Sequence, residues 1–305
     1  MSANLLSVFL GSRKEYNRLL VGQSVGVKRG IANNLVRGDC MHKNVRTVSL
    51  SIRRVVIALV LITALAIPSN AFASEIKVLC TSALTGAMEK LGPQFERETG
   101  NKLVLSYGAT GGLLNRVKNG EAADVVIVTA PALDSVVKLG KIVEQGRTPI
   151  AQTGVGIAIR RGAPRPDISS AEALKRTLLA AKSIAYSDPA GGGASGIVFA
   201  QVVEKLGIAE QLKPKTKLVP AGGSSGALAA SGEVEIAVQM ISELMPVAGA
   251  EVVGPLPPGL QSLTVFSAGV SASAANPAAA KQLILFLSSP AAAPVLREAG
   301  LEPAK

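Results

Sequence analysis

From Ile76 onward, short apolar runs alternate with stretches whose apolar residues recur every three to four positions. Ile76–Cys80, Leu103–Ser106, Val125–Val128, Val155–Ile159, Ile184–Tyr186, Lys217–Val219 and Ile236–Val238 read as strands. Leu84, Met88, Leu91 and Phe95 repeat at helical spacing, as do Phe199, Val202, Val203 and Leu206. Ala280, Leu283, Ile284 and Leu287 form a third stripe after Asn276-Pro277, a good helix start. Strands alternating with helices restrict the chain to an α/β architecture with mainly parallel strands. No internal repeat or coiled-coil heptad is present, and the Ala-rich tail favours helix.

What precedes Ile76 reads as an export leader. Arg53-Arg54 stand before the apolar run Val55–Ile67, and Ala71-Phe72-Ala73 closes it with the small-x-small pattern of a cleavage site. The run is too short for a spanning anchor, which takes about 20 residues. Residues 1–73 are therefore expected to be a leader, with Met41 as the natural start and residues 1–40 as an upstream extension; an unusually long leader is the alternative. The processed chain, 74–305, is expected in the periplasm, and no lipid-modified cysteine follows the cleavage point.

Removing the leader changes the charge and the chemistry. Ten of the 32 basic residues fall in 1–73 against Glu15 and Asp39 alone, so the net charge of +11 drops to +3. That balance gives no argument for nucleic acid as a partner. Cys40 and the single histidine, His42, leave with the leader. Cys80 is left without an intramolecular partner, at the end of an apolar strand where a buried small hydrophobe is expected. Zinc sites and Ser-His-Asp or Cys-His catalysis are excluded from the processed chain, and no metal or other cofactor is implied.

Two segments look like crossings between lobes. Around Gln152–Gly162 a strand exits into Arg161-Gly162-Ala163-Pro164-Arg165-Pro166, a run of breakers. Around Gly254–Leu263 a Pro- and Gly-rich run leads into a strand over Leu263–Val270. Residues 74–153 are thus expected to build the first lobe, 154–258 the second, and 259–305 to return to the first.

Four strand-to-helix junctions share one style, with hydroxyls, glycines and other small residues. They are Thr81-Ser82-Ala83-Leu84-Thr85, Gly108–Gly112, Asp188–Gly196 and Gln239–Glu243. In open α/β sheets ligands sit beyond the carboxyl ends of the strands, where such turns converge. Free N–H groups at helix starts, helped by hydroxyls, hold an anion without lysine or arginine. Taken singly, each Ser or Thr could simply cap its helix; four turns of one style point to a ligand. Gly191–Gly196 lacks the Lys-Ser/Thr of a phosphate-binding loop, and Ser195 lacks the spacing of a nucleophile elbow. Asp124 is expected to be a structural acceptor, and Tyr107 and Tyr186 to sit at the rim of the core.

At these turns the chain resembles the periplasmic solute-binding proteins of the molybdate-binding type, as a divergent subgroup. The resemblance runs from Ile76 nearly to the end. It rests on Leu84-Thr85-Gly86-Ala87-Met88, Asn119-Gly120-Glu121-Ala122-Ala123-Asp124-Val125, Asp188-Pro189 and Leu285–Ala291 in that order. It implies a type 2 periplasmic binding protein fold: two α/β lobes, a ligand cleft between them, a closing hinge, and an ABC transporter permease as partner of a monomer. The family's first serine donor aligns with Ala83, beside Thr81 and Ser82; its second falls near Thr110; its tyrosine corresponds to Met240, next to Gln239. Together with the turns, this places Thr81, Ser82, Ala83, Thr110, Gly111, Pro189, Gly193, Ala194, Ser195, Gln239 and Met240 around a small anion. No residue is assigned a catalytic role. The wider subgroup also resembles, at a distance, a periplasmic aconitate isomerase, which would need a titratable group near the turns; Asp188, Glu243 and Tyr107 are the candidates. Capture of an oxyanion or small carboxylate is the primary reading, and tricarboxylate isomerisation the second.

Overall fold

The computed structural model describes residues 74–220 and 222–304, which belong to one compact unit. The leader and the choice of start codon lie outside these residues. β1 (Glu75–Thr81) passes through a single 3-10 turn, Ser82–Leu84, into α1 (Thr85–Thr99). β2 (Lys102–Gly108) with α2 (Thr110–Lys118), and β3 (Val125–Thr129) with α3 (Ala130–Val137), repeat the unit. β4 (Thr148–Thr153) and β5 (Val155–Arg160) then follow with only Gly154 between them. Next come α4 (Ala171–Ala180), β6 (Ile184–Ser187), α5 (Ala194–Lys205), α6 (Ala209–Leu212), β7 (Thr216–Val219), α7 (Ser225–Ser231), β8 (Ile236–Met240) and α8 (Ile241–Leu244). β9 (Ala250–Pro255), β10 (Thr264–Val270), α9 (Pro277–Leu287), α10 (Ala293–Glu298) and β11 (Glu302–Pro303) complete the order.

The strands form two sheets, ordered β11-β4-β10-β3-β1-β2 and β7-β6-β8-β5-β9. Parallel pairing holds where the strand–helix alternation is strongest, between β1 and both β2 and β3 and between β6 and both β7 and β8. β5 and β10 run antiparallel to their neighbours, so both sheets are mixed. They are the strands that bring the chain into the second sheet and back to the first. The two crossings are tied together by Gln261, whose Oε1 accepts from Val155 N at 3.1 Å while its Nε2 donates to Val155 O at 2.8 Å.

The stripes read from the sequence face the core. Leu84, at the end of the 3-10 turn, and Met88, Leu91 and Phe95 on α1 are buried, as are Ala280, Leu283, Ile284 and Leu287 on α9. Phe95 and Phe286 meet with ring centroids 5.5 Å apart, which sets α9 against α1. Gly100 ends α1 in the left-handed region, φ 74°, and donates its N–H to Glu96 O, a helix stop open to glycine at little cost. Cys80 is fully buried and burial pushes its thiol upward, which makes it inert packing. Tyr186 lies edge-on to Phe199 at 5.0 Å, half-buried at the rim of the core, and Tyr107 is likewise half-buried.

Asp124 is an acceptor of backbone donors. One carboxylate oxygen takes the Lys77 N–H at 2.8 Å; the other takes those of Ala275 at 2.7 Å and Asn276 at 3.2 Å. It joins β1 to the segment that starts α9, which leaves it no part in a cleft.

Candidate functional site

The carboxyl ends of β1, β2, β6 and β8 converge on a small cavity of ≈ 30 Å³ between the two sheets. Thr81, Ser82, Ala83, Ala109 and Thr110 line it from the six-stranded side, together with Phe266 of β10. Ser187, Gly193, Ala194, Ser195, Gly222, Gly223, Gln239, Met240 and Glu243 line it from the five-stranded side. Parallel strands all point their C-terminal ends one way, so turns distant in sequence arrive at one place.

Two helix starts face this cavity from opposite sheets. α2 has Ala109 as its N-cap and α5 has Gly193, and neither has a side-chain cap. Apart from the Gly111 N–H, which is directed at Gly192 O, the first-turn N–H groups of both helices are left to whatever occupies the cavity. Elsewhere in the described residues serine does cap: Ser170 accepts from Ala173 N on α4, and Ser224 from Ala227 N on α7. Thr110 Oγ1 is buried with no hydrogen-bond partner, as are the Tyr107 and Ser242 hydroxyls, but of the three only Thr110 lines the cavity, where a guest can meet it. The two N-termini add a positive potential to this donor set.

The remaining polar groups are positioned by one another. Ser195 Oγ donates to Ser187 Oγ at 3.3 Å. Gln239 Oε1 accepts from the N–H and the hydroxyl of Ser225, at 2.9 and 3.0 Å, which fixes the orientation of the amide. Its Nε2 donates to Gly223 O at 3.3 Å and supports the Glu243 carboxylate. Glu243 is half-buried at the start of α8. Desolvation pushes its pKa up to about 7, against the opposing pull of the Met240 N–H and the Gln239 side chain. Among the described lining residues it is the only titratable one, and none is lysine, arginine or histidine.

Of the residues expected around the ligand, Thr81, Ser82, Ala83, Thr110, Gly193, Ala194, Ser195, Gln239 and Met240 are brought together here. Gly111 and Pro189 lie outside the lining and build the wall behind it. Gly111 N–H reaches Gly192 O at a long 3.4 Å, and Pro189 O accepts the Gly192 N–H at 3.0 Å. Gly192, at φ 73°, brings its backbone so close that a Cβ there would stand 2.7 Å from Gly111 Cα. The turns of the two sheets thus touch through a pair of glycines. The sequence reading missed Ala109, Ser187, Gly222, Gly223 and Phe266 as lining residues. Gly222-Gly223 carried a usable signal, since Pro220–Gly226 is a fifth junction of the same style. Phe266 carried none, because an antiparallel strand delivers it from far along the chain.

A cavity between two α/β sheets, lined by hydroxyls, glycines and one carboxylate and faced by a helix start from each sheet, is the site of a solute-binding protein. The chain belongs to the bacterial extracellular solute-binding protein family, whose match covers residues 76–302. It is 33% identical over 236 residues to an aconitate isomerase of a Pseudomonas species, covering 75% of this chain and 88% of that one. It is 29% identical over 263 residues to a molybdate-binding protein of Azotobacter vinelandii, covering 83% and 98%. The solved periplasmic molybdate-binding protein of Azotobacter vinelandii superimposes with a TM-score of 0.66 at 20% identity, over 75% of this chain and all of that one. That likeness extends the agreement to the fold.

Proposed function

We propose that this chain is a periplasmic solute-binding protein that captures a small anion, an oxyanion or a small carboxylate, between its two lobes and hands it to an ABC transporter permease. The observation that carries this reading is the pair of uncapped helix starts, α2 and α5, facing one cavity beside the unpartnered Thr110 hydroxyl. Each charge-assisted bond is worth about 1.5–3 kcal/mol gross. Half a dozen exceed an association cost on the order of 4–8 kcal/mol and leave room for a micromolar complex near 8 kcal/mol. Calorimetry of the purified protein against molybdate, tungstate, sulfate, phosphate, citrate and both aconitates tests it. Saturable binding without turnover supports capture; no binding across the panel removes it.

The second reading is isomerisation of a bound tricarboxylate, favoured by Glu243 and by the relative named aconitate isomerase. Of the three base candidates, Glu243 lines the cavity, while Asp188 and Tyr107 do not. Asp188 instead accepts the Ala190 N–H at 2.9 Å within its own turn. Conversion of trans- to cis-aconitate by the purified protein would put this reading in place of the first.

Two substitutions probe the cavity under either reading. Thr110→Ala with Ser195→Ala is expected to weaken the panel ligand bound by the wild type about tenfold, a loss of about 1.4 kcal/mol. Unchanged affinity removes both hydroxyls from the site. Gly192→Ala forces a Cβ into the Gly111 backbone and strains a left-handed residue, so the turns must separate. A further loss of affinity of about tenfold is expected at unchanged secondary structure, read by calorimetry and circular dichroism.

A further inference from the structure

Glu243 stands where an anion cavity ought to hold no carboxylate. The cavity offers no lysine, arginine or histidine to offset it among the described lining residues. The carboxylate is nevertheless built in: the Met240 N–H and the Gln239 amide both support it, and Ser225 fixes that amide by occupying its oxygen. Ser225 lies wholly buried, and its single hydroxyl hydrogen is shared between Gln239 Oε1 and Val238 O, 3.0 and 3.1 Å away.

The elements packed against α8 include the Ser82–Leu84 turn, α1, β5, α7, β8 and β9, and the Gly300 turn, flanked by Arg297, Glu298 and Glu302, also lies against Ile241 and Ser242. The Ser82–Leu84 turn, α7 and β8 have no titratable residue within their ranges. α1 carries Glu89, Lys90, Glu96, Arg97 and Glu98, β5 carries Arg160, and β9 carries Glu251. None of these charges contributes to the environment that shifts Glu243, which is burial opposed by its two hydrogen bonds.

Resting on the anion-capture reading, we propose that Glu243 takes up one proton when an anion enters the cavity, so that the chain binds its guest together with a proton. Two negative groups enclosed without a cation repel each other strongly, as in carboxylate pairs that share a single proton. Burial already brings the Glu243 carboxyl up to about 7, so protonation near neutral pH demands little. The proton comes from solvent and sits on a Glu243 oxygen, which turns that oxygen from an acceptor into a hydrogen-bond donor toward the guest. The same logic selects guests that bring a hydrogen of their own at alkaline pH, such as a hydroxyl group, over fully ionised oxyanions.

The test uses molybdate, sulfate and trans-aconitate as probes from pH 7.5 to 9, where all three are fully ionised. For whichever binds, Kd is expected to rise close to tenfold per pH unit. Calorimetry in two buffers of different ionisation enthalpy is expected to show close to one proton taken up per guest. Glu243→Gln is expected to abolish both effects and to bind more tightly than the wild type at pH 9. A wild-type Kd independent of pH, with no proton uptake, overturns this inference and leaves anion capture standing. So does a Glu243→Gln protein that keeps the wild-type slope. No saturable binding of any anion in the full panel named above overturns both together. The wild-type calorimetry decides the matter even if the variant fails to fold.

Discussion

Gly196→Ala is expected to lower the melting temperature by about 6–12 °C, the equivalent of about 3 kcal/mol in a chain of this size. Gly196 sits in the first turn of α5, where the helix start abuts the end of β6. A Cβ there would overlap the Ser187 carbonyl oxygen and stand 2.8 Å from the Ser187 carbonyl carbon and 3.3 Å from Pro189 N. These are backbone atoms of the inner strand β6 and of the turn that follows it, so they cannot yield as a flexible side chain would. The alternatives are to tilt α5 or to push β6 out of its pairing with β7 and β8, and both disturb a close-packed layer. Ser187 and Ser195, which share a hydrogen bond at the cavity, would separate in either case. Guest affinity per folded molecule is therefore expected to fall along with stability. Thermal unfolding and calorimetry of the same preparation check both. A variant as stable as the wild type would mean that the helix start has room the packing does not show.

Gly196 also shows why some of this molecule could be read in advance and some could not. The parallel strands were legible because burial on both faces forces continuous apolar runs such as Val125–Val128. Their boundaries moved outward by a residue or two, because pairing continues where the side chains turn polar, as at Thr81 and Gln239. β4, with Thr148, Pro149, Gln152 and Thr153 around two apolar residues, gave no such run, and it exists because β10 and β11 pair with it. β9 and β11 were missed for the same reason: each is held by its partner strand. The cavity was legible to the extent that its wall is made of strand-to-helix turns. Glu243 was named only as a possible base. That its carboxyl would face a cavity empty of cations depends on α8 packing against the Ser82–Leu84 turn, about 160 residues earlier, and no local pattern encodes that contact.

Asp124→Ala is expected to cost about 3–5 kcal/mol of folding stability while leaving guest affinity per folded molecule unchanged. The carboxylate is 3% exposed and accepts three backbone N–H groups, from Lys77, Ala275 and Asn276. Alanine leaves those three donors without their acceptor, and each unsatisfied buried donor costs about 1–3 kcal/mol. The loss falls on the joint between β1 and the start of α9, which holds the C-terminal helices against α1. Asp124→Asn separates charge from geometry. Its single carbonyl oxygen can serve either Lys77 or the Ala275–Asn276 pair, and its NH2 then confronts the other donors. A loss intermediate between wild type and alanine is expected, measured by denaturant unfolding. If Asp124→Ala unfolds within about 1 kcal/mol of wild type, or if it abolishes binding in a folded protein, the structural role is wrong. Asp124 would then have to be reconsidered as a group acting in the cleft, which its absence from the lining argues against.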